Sequence, residues 1–253
     1  METDTQLYFV SQTSKKKPET IRNKHNACPF CNVDELENII AQEGSIILLE
    51  NKYKTLKNTF QTVLIETADC KGELSIYNKD HLYRVIKFAI RNWLKFEKSG
   101  KFKSVLLFKN QGPLSGGSIL HPHMQIVGLE KVDYQKNIHS TSFEGILIAR
   151  NKSVEFNIST QPKIGFYEFN VVMQSIDDIT IMADFIQIAA HFILNHFHFT
   201  CESYNLFFYH INQMIVCKII PRFVTTPIYI GYSIPQVSDD ISNVAEKVRK
   251  LYL

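Results

Sequence analysis

Apolar residues recur at helical spacing in two places along the chain. Leu82, Val85, Ile86, Ala89, Ile90, Trp93 and Leu94 follow i, i+3, i+4 steps and predict an amphipathic helix of about five turns. Met182, Phe185, Ile186, Ala189 and Ile193 predict a second helix. Short apolar runs follow each one. Ser104 to Phe108 and His121 to Leu129 read as strands after the first helix, Tyr204 to Tyr209 and Met214 to Ile220 as strands after the second. Further strands are expected upstream, at Ser45 to Leu49 and Thr62 to Glu66 in the first half, and at Gly145 to Ala149 and Phe166 to Met173 in the second. The same order of elements occurs twice. This pattern predicts an α+β fold made of a duplicated unit, an antiparallel sheet with helices packed on it. Residues 1–130 and 131–253 form the two halves, joined through the polar, aperiodic stretch Lys131 to Phe143. The charged stretch Gln12 to Asn26 reads as loop.

Composition narrows the classes of function. With 253 residues, 45% hydrophobic and 21% charged, the chain can bury one large core or two fused small ones. Its 28 basic and 25 acidic residues leave a formal charge of +3, concentrated visibly only in Lys15-Lys16-Lys17, which is no nucleic-acid footprint. No apolar run reaches membrane-spanning length, and Met1-Glu2-Thr3-Asp4 does not open a signal peptide, so a cytoplasmic setting is expected, with neither membrane nor nucleic acid as partner. There the five cysteines, Cys28, Cys31, Cys70, Cys201 and Cys217, are expected as thiols or metal ligands.

Two motifs carry the chemistry. Cys28-Pro29-Phe30-Cys31 has the spacing that lets two thiolates reach one tetrahedral ion, for which zinc is the usual occupant in a reducing compartment. Two more ligands are needed, and spacing leaves His25, Cys70, His81, His121 and His123 all open. A redox role for the pair wants a thioredoxin-like βαβ context that the chain lacks. The second motif runs from Asn110 to Gln125. Alternation along a strand sets His121 and His123 on one side, directly after Gly116-Gly117-Ser118, whose permissive backbone and N–H groups can approach phosphate oxygens. Imidazole is a nucleophile near neutral pH, and Gln125, on the same side, can donate an amide N–H to a phosphoryl oxygen.

Taken together, these residues resemble galactose-1-phosphate uridylyltransferase, a branch of the histidine-triad superfamily, whose motif has Asn, Gly, Ser, His-Pro-His and Gln at the separations seen from Asn110 to Gln125. Cys28-Pro29-Phe30-Cys31 matches the family's zinc-binding Cys-Pro-Phe-Cys, and Asn51-Lys52-Tyr53 is similar to its nucleoside-binding turn. The likeness covers most of the first half and, weakly, the second. It implies duplicated histidine-triad-like units, the second degenerate. It also implies a nucleotidylyltransferase that moves a nucleoside monophosphate from a nucleoside diphosphate compound, such as a sugar nucleotide, to a phosphate acceptor through a covalent nucleotidyl-His123 intermediate. His123 and Gln125 would be catalytic. Asn51, Lys52, Asn110, Gly116, Gly117 and Ser118 would hold substrate, and Cys28, Cys31, Cys70 and His121 would bind Zn2+, Cys70 replacing a histidine of the family. Lys16 and Lys17 are similar in place to the family's arginine-rich segment, although solvated loop lysines explain them too.

The departures bear on substrate and on the second half. Lys52 stands where the family has an acidic residue, so uridine preference does not follow. Val216 to Pro221 falls where the family carries a His-x-His metal pair, and neither histidine is present. His191, His196, His198 and His210 are expected to make ordinary polar contacts. A phosphorylase or hydrolase of nucleotide sugars or dinucleoside polyphosphates would use the same residues, whereas a non-catalytic nucleotide-binding zinc scaffold would need neither His123, Ser118 nor Gln125. The resemblance further implies a homodimer.

Overall fold

A computed structural model describes residues 5–23, 25–197 and 200–253. Contacts divide the chain into two compact units, residues 1–73 with 84–137, and residues 74–83 with 138–253.

The first unit contains α1 (Ser11–Lys15), β1 (Ile39–Glu43), β2 (Ile46–Glu50), β3 (Thr59–Ile65), most of α2 (Lys79–Lys98), β4 (Ser104–Gln111) and β5 (His123–Leu129). Its strands neighbour one another in the order β1-β2-β3-β5-β4, every pair antiparallel. Helix α2 forms as its periodicity requires. Leu82, Val85, Ile86, Ala89, Ile90 and Trp93 are buried while Lys87, Arg91 and Lys95 face solvent. Asn78 Oδ1 accepts the His81 N–H at its start, basic Lys95 and Lys98 occupy its last turn, and Gly100, at φ +66°, follows its end. Trp93 Nε1 donates to the Val105 carbonyl and ties the helix to β4.

Register sets what each sheet face presents. Across β2, β3 and β5, Ile47 pairs with Ile65 and Leu49 with Val63, while Ile65 pairs with His123 and Val63 with Gln125. These residues therefore share one face. Ile47, Leu49, Val63 and Ile65 form an apolar floor there, against which Phe30 and Leu36 pack. On the other face, Lys109 follows Val105 and Leu107 along β4 and donates to Glu66 Oε1 at 2.6 Å, both side chains being 0% exposed. The Glu66 N–H in turn donates to the Pro122 carbonyl, so this buried pair anchors the peptide between the two histidines.

The second unit contains β6 (Gly145–Asn151), β7 (Val154–Ser159), β8 (Gly165–Phe166), β9 (Phe169–Met173), α3 (Ile179–Asn195), β10 (Tyr204–Ile211), β11 (Met214–Pro221), α4 (Pro227–Tyr232), β12 (Gln236–Val237) and α5 (Ile241–Tyr252). Its strands run β6-β7-β9-β11-β10, the order of the first unit repeated, with β8 and β12 paired separately. Helix α3 packs on β7, β9 and β11, with Phe185 stacked on Phe156 and Phe192 edge-on to Phe169. Helix α5 packs on β6 and β7 and is tied by Arg249 Nε, which donates to the Ile148 carbonyl. His191 bonds to the Tyr252 hydroxyl at 2.6 Å and its ring lies beside that of His196. His198 lies outside the described residues. Lys218 and Glu168, both 0% exposed, form a second buried ion pair at 2.8 Å. No helix among the described residues is long and apolar enough to cross a membrane.

Several expected elements differ. The strand expected from His121 begins at His123, because His121 leaves the ladder to meet the cysteines. The strand expected over 166–173 divides into β8 and β9. The described residues from Gln12 to Asn26 are loop except where they overlap α1. Strands β1 and β7 and helices α4 and α5 have no counterpart in the sequence reading.

Removing Lys109 alone strands a buried carboxylate, a change that costs about 3–5 kcal/mol. Chemical denaturation of Lys109→Met should show that loss, and the double variant Lys109→Met/Glu66→Leu should recover most of it. Equal instability of both variants would mean that shape rather than charge pairing holds this corner.

Candidate active site and metal centre

The Asn110–Gln125 segment is held by its own side chains and by the N-terminal stretch. Gly112 at φ +83° and Gly116 at φ +87° turn the chain where a Cβ would be strained. Ser115 Oγ donates to the Gly112 carbonyl and accepts the Gly117 N–H. The loop therefore closes on Ser115, and the Gly117 N–H expected to cradle phosphate is engaged inside the loop. Thr20 stitches the incoming chain to it: its N–H donates to the Ser118 carbonyl and its Oγ1 accepts the Leu120 N–H, each at 2.8 Å. Ser118 Oγ is buried without a hydrogen-bond partner.

The two imidazoles diverge in role. His121 is fully buried, and its Nδ1 lies 3.6 Å from both Cys28 Sγ and Cys31 Sγ. Its Nε2 donates to the Thr67 carbonyl at 2.8 Å, which leaves the Nδ1 lone pair directed at the thiols. Cys70 completes the group. The ligand atoms of Cys28, Cys31, Cys70 and His121 all lie within 4.8 Å of one another, the one such cluster among the described residues. Without a cation the cluster is electrostatically unfavourable. Burial and the neighbouring Cys31 sulfur raise the Cys28 thiol, burial and the other two sulfurs push Cys70 up to about 12, and burial lowers His121. Three thiols and an imidazole crowded in this way suit a divalent ion, which would bring the thiol values back down and favour the same neutral His121 that burial does. Of the other ligands that spacing allowed, His25 and His81 lie outside the cluster, and His123 points elsewhere.

His123 opens onto a cleft of about 660 Å³, within the range of small-molecule sites. Its Nδ1 donates to the His121 carbonyl at 2.7 Å, fixing the ring and leaving Nε2 with a free lone pair. Burial lowers its pKa to about 4, and the charges of Lys109 and Lys17 act in the same direction, so the ring is neutral at physiological pH. The Phe30 ring meets both imidazoles edge-on, at 5.5 Å from His123 and 5.9 Å from His121. One aromatic side chain thus braces both.

Gln125 lines the cleft with His123, as do Leu49 and Val63 of the apolar floor, Leu36 packed against that floor, and Asn51, Lys52 and Lys54. Asn51 Oδ1 accepts the Tyr53 N–H, so half of its amide shapes the turn. Asn110 backs Gly117, where an added Cβ would approach Asn110 Cβ to 3.3 Å. Lys17 also lines the cleft and is desolvated enough to lower its pKa. Sequence reasoning did not separate Lys17 from its solvated neighbours and missed Ser115, Thr20 and the Lys109–Glu66 pair. The Gly-x-x-Ser spacing from Gly112 to Ser115 and the proline after Lys17 were the available signals.

Comparison with known proteins agrees with this architecture. Models of the N-terminal and C-terminal domains of a family described as a domain of unknown function, DUF4931, match residues 9–132 and 135–253. No functionally curated protein matches the sequence. The crystal structure of a DUF4931 family protein from Bacillus cereus is 48% identical, covers 84% of this chain and 98% of its own, and superposes with a TM-score of 0.78. More distant in sequence are a uridylyltransferase, at 16% identity over 89% of this chain and 91% of its own with a TM-score of 0.71, and an ADP-glucose phosphorylase from Arabidopsis thaliana with bound ADP-glucose, at 14% identity over 98% and 99% with a TM-score of 0.72. These two share the fold, which is the histidine-triad-like fold of galactose-1-phosphate uridylyltransferases. With both domain models matched in order and a solved relative nearly half identical, the chain belongs to the DUF4931 family.

Proposed function

We propose that the protein is a nucleotidylyltransferase that works by double displacement through His123. The observation that carries this reading is a neutral, buried imidazole that lines a nucleotide-sized cleft, its Nδ1–H tied to a backbone carbonyl so that Nε2 is left as the nucleophilic nitrogen. Nε2 attacks the α-phosphorus of a nucleoside diphosphate compound, preferably a sugar nucleotide. The N–P bond forms as the P–O bond to the leaving phosphate breaks, and the His121 carbonyl stabilises the positive charge that develops on the ring. An acceptor phosphate then attacks the phosphoramidate and restores the free imidazole. Gln125 and Lys17 line the cleft, where Gln125 donates its amide N–H to the transferred phosphoryl group and Lys17 offsets phosphate charge; Ser118, whose buried hydroxyl has no protein partner, lies outside that lining and would meet substrate by turning toward it. Asn110, Gly116 and Gly117 shape the phosphate loop, and Asn51 and Lys52 bound the nucleoside side. Phosphate or water as acceptor would make the same first step part of a phosphorolysis or hydrolysis.

Zinc is the ion proposed for Cys28, Cys31, Cys70 and His121. With zinc–sulfur and zinc–nitrogen bonds of about 2.3 and 2.05 Å, a tetrahedral centre sets sulfur and nitrogen about 3.6 Å apart. The spacing around His121 Nδ1 supports that fit. Its four protein ligands leave no open position, so the metal would brace the fold and polarise His121 without meeting substrate.

Incubation with α-labelled UDP-sugar, ADP-sugar and dinucleoside polyphosphate should leave an acid-labile, base-stable label on His123 with at least one donor. His123→Gly should stay folded by circular dichroism and take no label. Absence of label with every donor class would remove the covalent mechanism. Metal analysis of purified protein should return near one zinc per chain. Cys70→Ser should lower that content and the melting temperature together; unchanged zinc would exclude Cys70 as a ligand.

A further inference from the structure

The metal centre is unusually open to solution on one side. Cys31 is exposed and Cys28 and Cys70 are half-buried, whereas Cys201 and Cys217 are sealed in the second unit. All three clustered sulfurs lie within 4.8 Å of one another, so each has another within a short side-chain movement of it. Their surroundings allow that movement. Cys28 and Cys31 sit on a turn closed by a single long backbone bond, Cys31 N–H to the Cys28 carbonyl at 3.3 Å, and Cys70 sits in the loop after β3, beside exposed Asp69 and Lys71.

We propose that this cluster is a peroxide-responsive thiol–disulfide switch that releases its metal and disables His123. The proposal rests on the zinc reading of the site. Cys31 sulfur, the exposed thiol, attacks a peroxide oxygen as its proton passes to the other oxygen; the O–O bond breaks, that oxygen leaves as water and Cys31 becomes a sulfenic acid. Cys28 or Cys70 sulfur then displaces the remaining oxygen as a second water and forms the S–S bond. Two thiols and one hydrogen peroxide thus give one disulfide and two waters, with two electrons passing from sulfur to oxygen. Two of the four residues that would hold zinc are consumed, and only one cysteine and His121 would remain to bind it. The effect reaches the cleft through two contacts. Phe30, between the oxidised cysteines, presses on both imidazoles, and the His121 carbonyl holds His123 Nδ1 at 2.7 Å.

The test uses the intact protein as purified, titrated with hydrogen peroxide. A chromophoric chelator follows zinc, thiol counting follows oxidation, and peptide mapping locates the bond. Near one zinc should be released as two thiols disappear, with Cys31 found in a disulfide to Cys28 or Cys70. Label incorporation at His123 should fall at least tenfold and recover with dithiothreitol and added zinc. Zinc retained after thiol loss, Cys31 carried to sulfinic acid without a disulfide, or Cys201 or Cys217 oxidised first would each overturn the switch. A protein that contains no zinc fails the metal reading, yet disulfide mapping still tests the thiol chemistry. One that takes no label fails the transferase reading, and the zinc and disulfide measurements still stand.

Discussion

The candidate site depends on the hydrogen bond from His123 Nδ1 to the carbonyl of His121. It makes one histidine the mount of the next. His121 is fixed at both ring nitrogens, by the thiol cluster and by the Thr67 carbonyl, so its own carbonyl is held in place and cannot follow a moving His123. The intervening Pro122 restricts the backbone, and its carbonyl is pinned by the Glu66 N–H. A nucleophile mounted in this way needs little reorganisation to meet phosphorus, because its orientation is set before substrate arrives.

Burial acts on this arrangement in two ways. It drives His123 to about pH 4, which protects the lone pair at neutral pH, but it also makes the positive charge formed during attack costly. The carbonyl beneath Nδ1 opposes that cost and is the largest influence raising the ring's basicity. Lys109 and Lys17 act the other way, and Lys109 is neutralised by Glu66 at 2.6 Å on the opposite sheet face. The other cation acting on the ring is Lys17, which lines the cleft and whose charge a substrate phosphate would offset.

Legibility in the sequence followed the range of the interaction. The helix of Leu82 to Trp93 and the strands flanking it were readable because periodicity reports which side of an element is buried. The two-residue step from His123 to Gln125 likewise set both on the cleft face. What failed was information carried by distant residues. Strand β1 exposes both Ile39 and Ile40, so no alternation marks it, and β7 is buried on both faces. Cys70 could be separated from His25 and His81 only through the family resemblance, since the loop that carries it to His121 spans about fifty residues of intervening chain. Ser115 and Thr20 look like ordinary loop polars until the fold places each against the backbone atom it satisfies.

The two units differ in the residues on which the proposed chemistry depends. Both have the same strand order, and both bury one lysine–glutamate pair. Such pairs contribute little net stability once desolvation is counted, so their recurrence favours a role in fixing strand ends over one in strengthening the fold. In the second unit, β11 pairs Val216 with Val172 and Lys218 with Asn170, and no imidazole stands on that face. Nor does it carry a Cys-x-x-Cys turn to hold one. The proposed nucleophile, its carbonyl mount and the thiol cluster have no counterpart among the described residues of that unit, as expected if the three are one device: a histidine without its brace would be a buried, mobile base with no fixed partner. In this chain the proposed site therefore belongs to the first unit, and the second copy of the fold is free to vary wherever its helices and ion pair leave the packing unchanged.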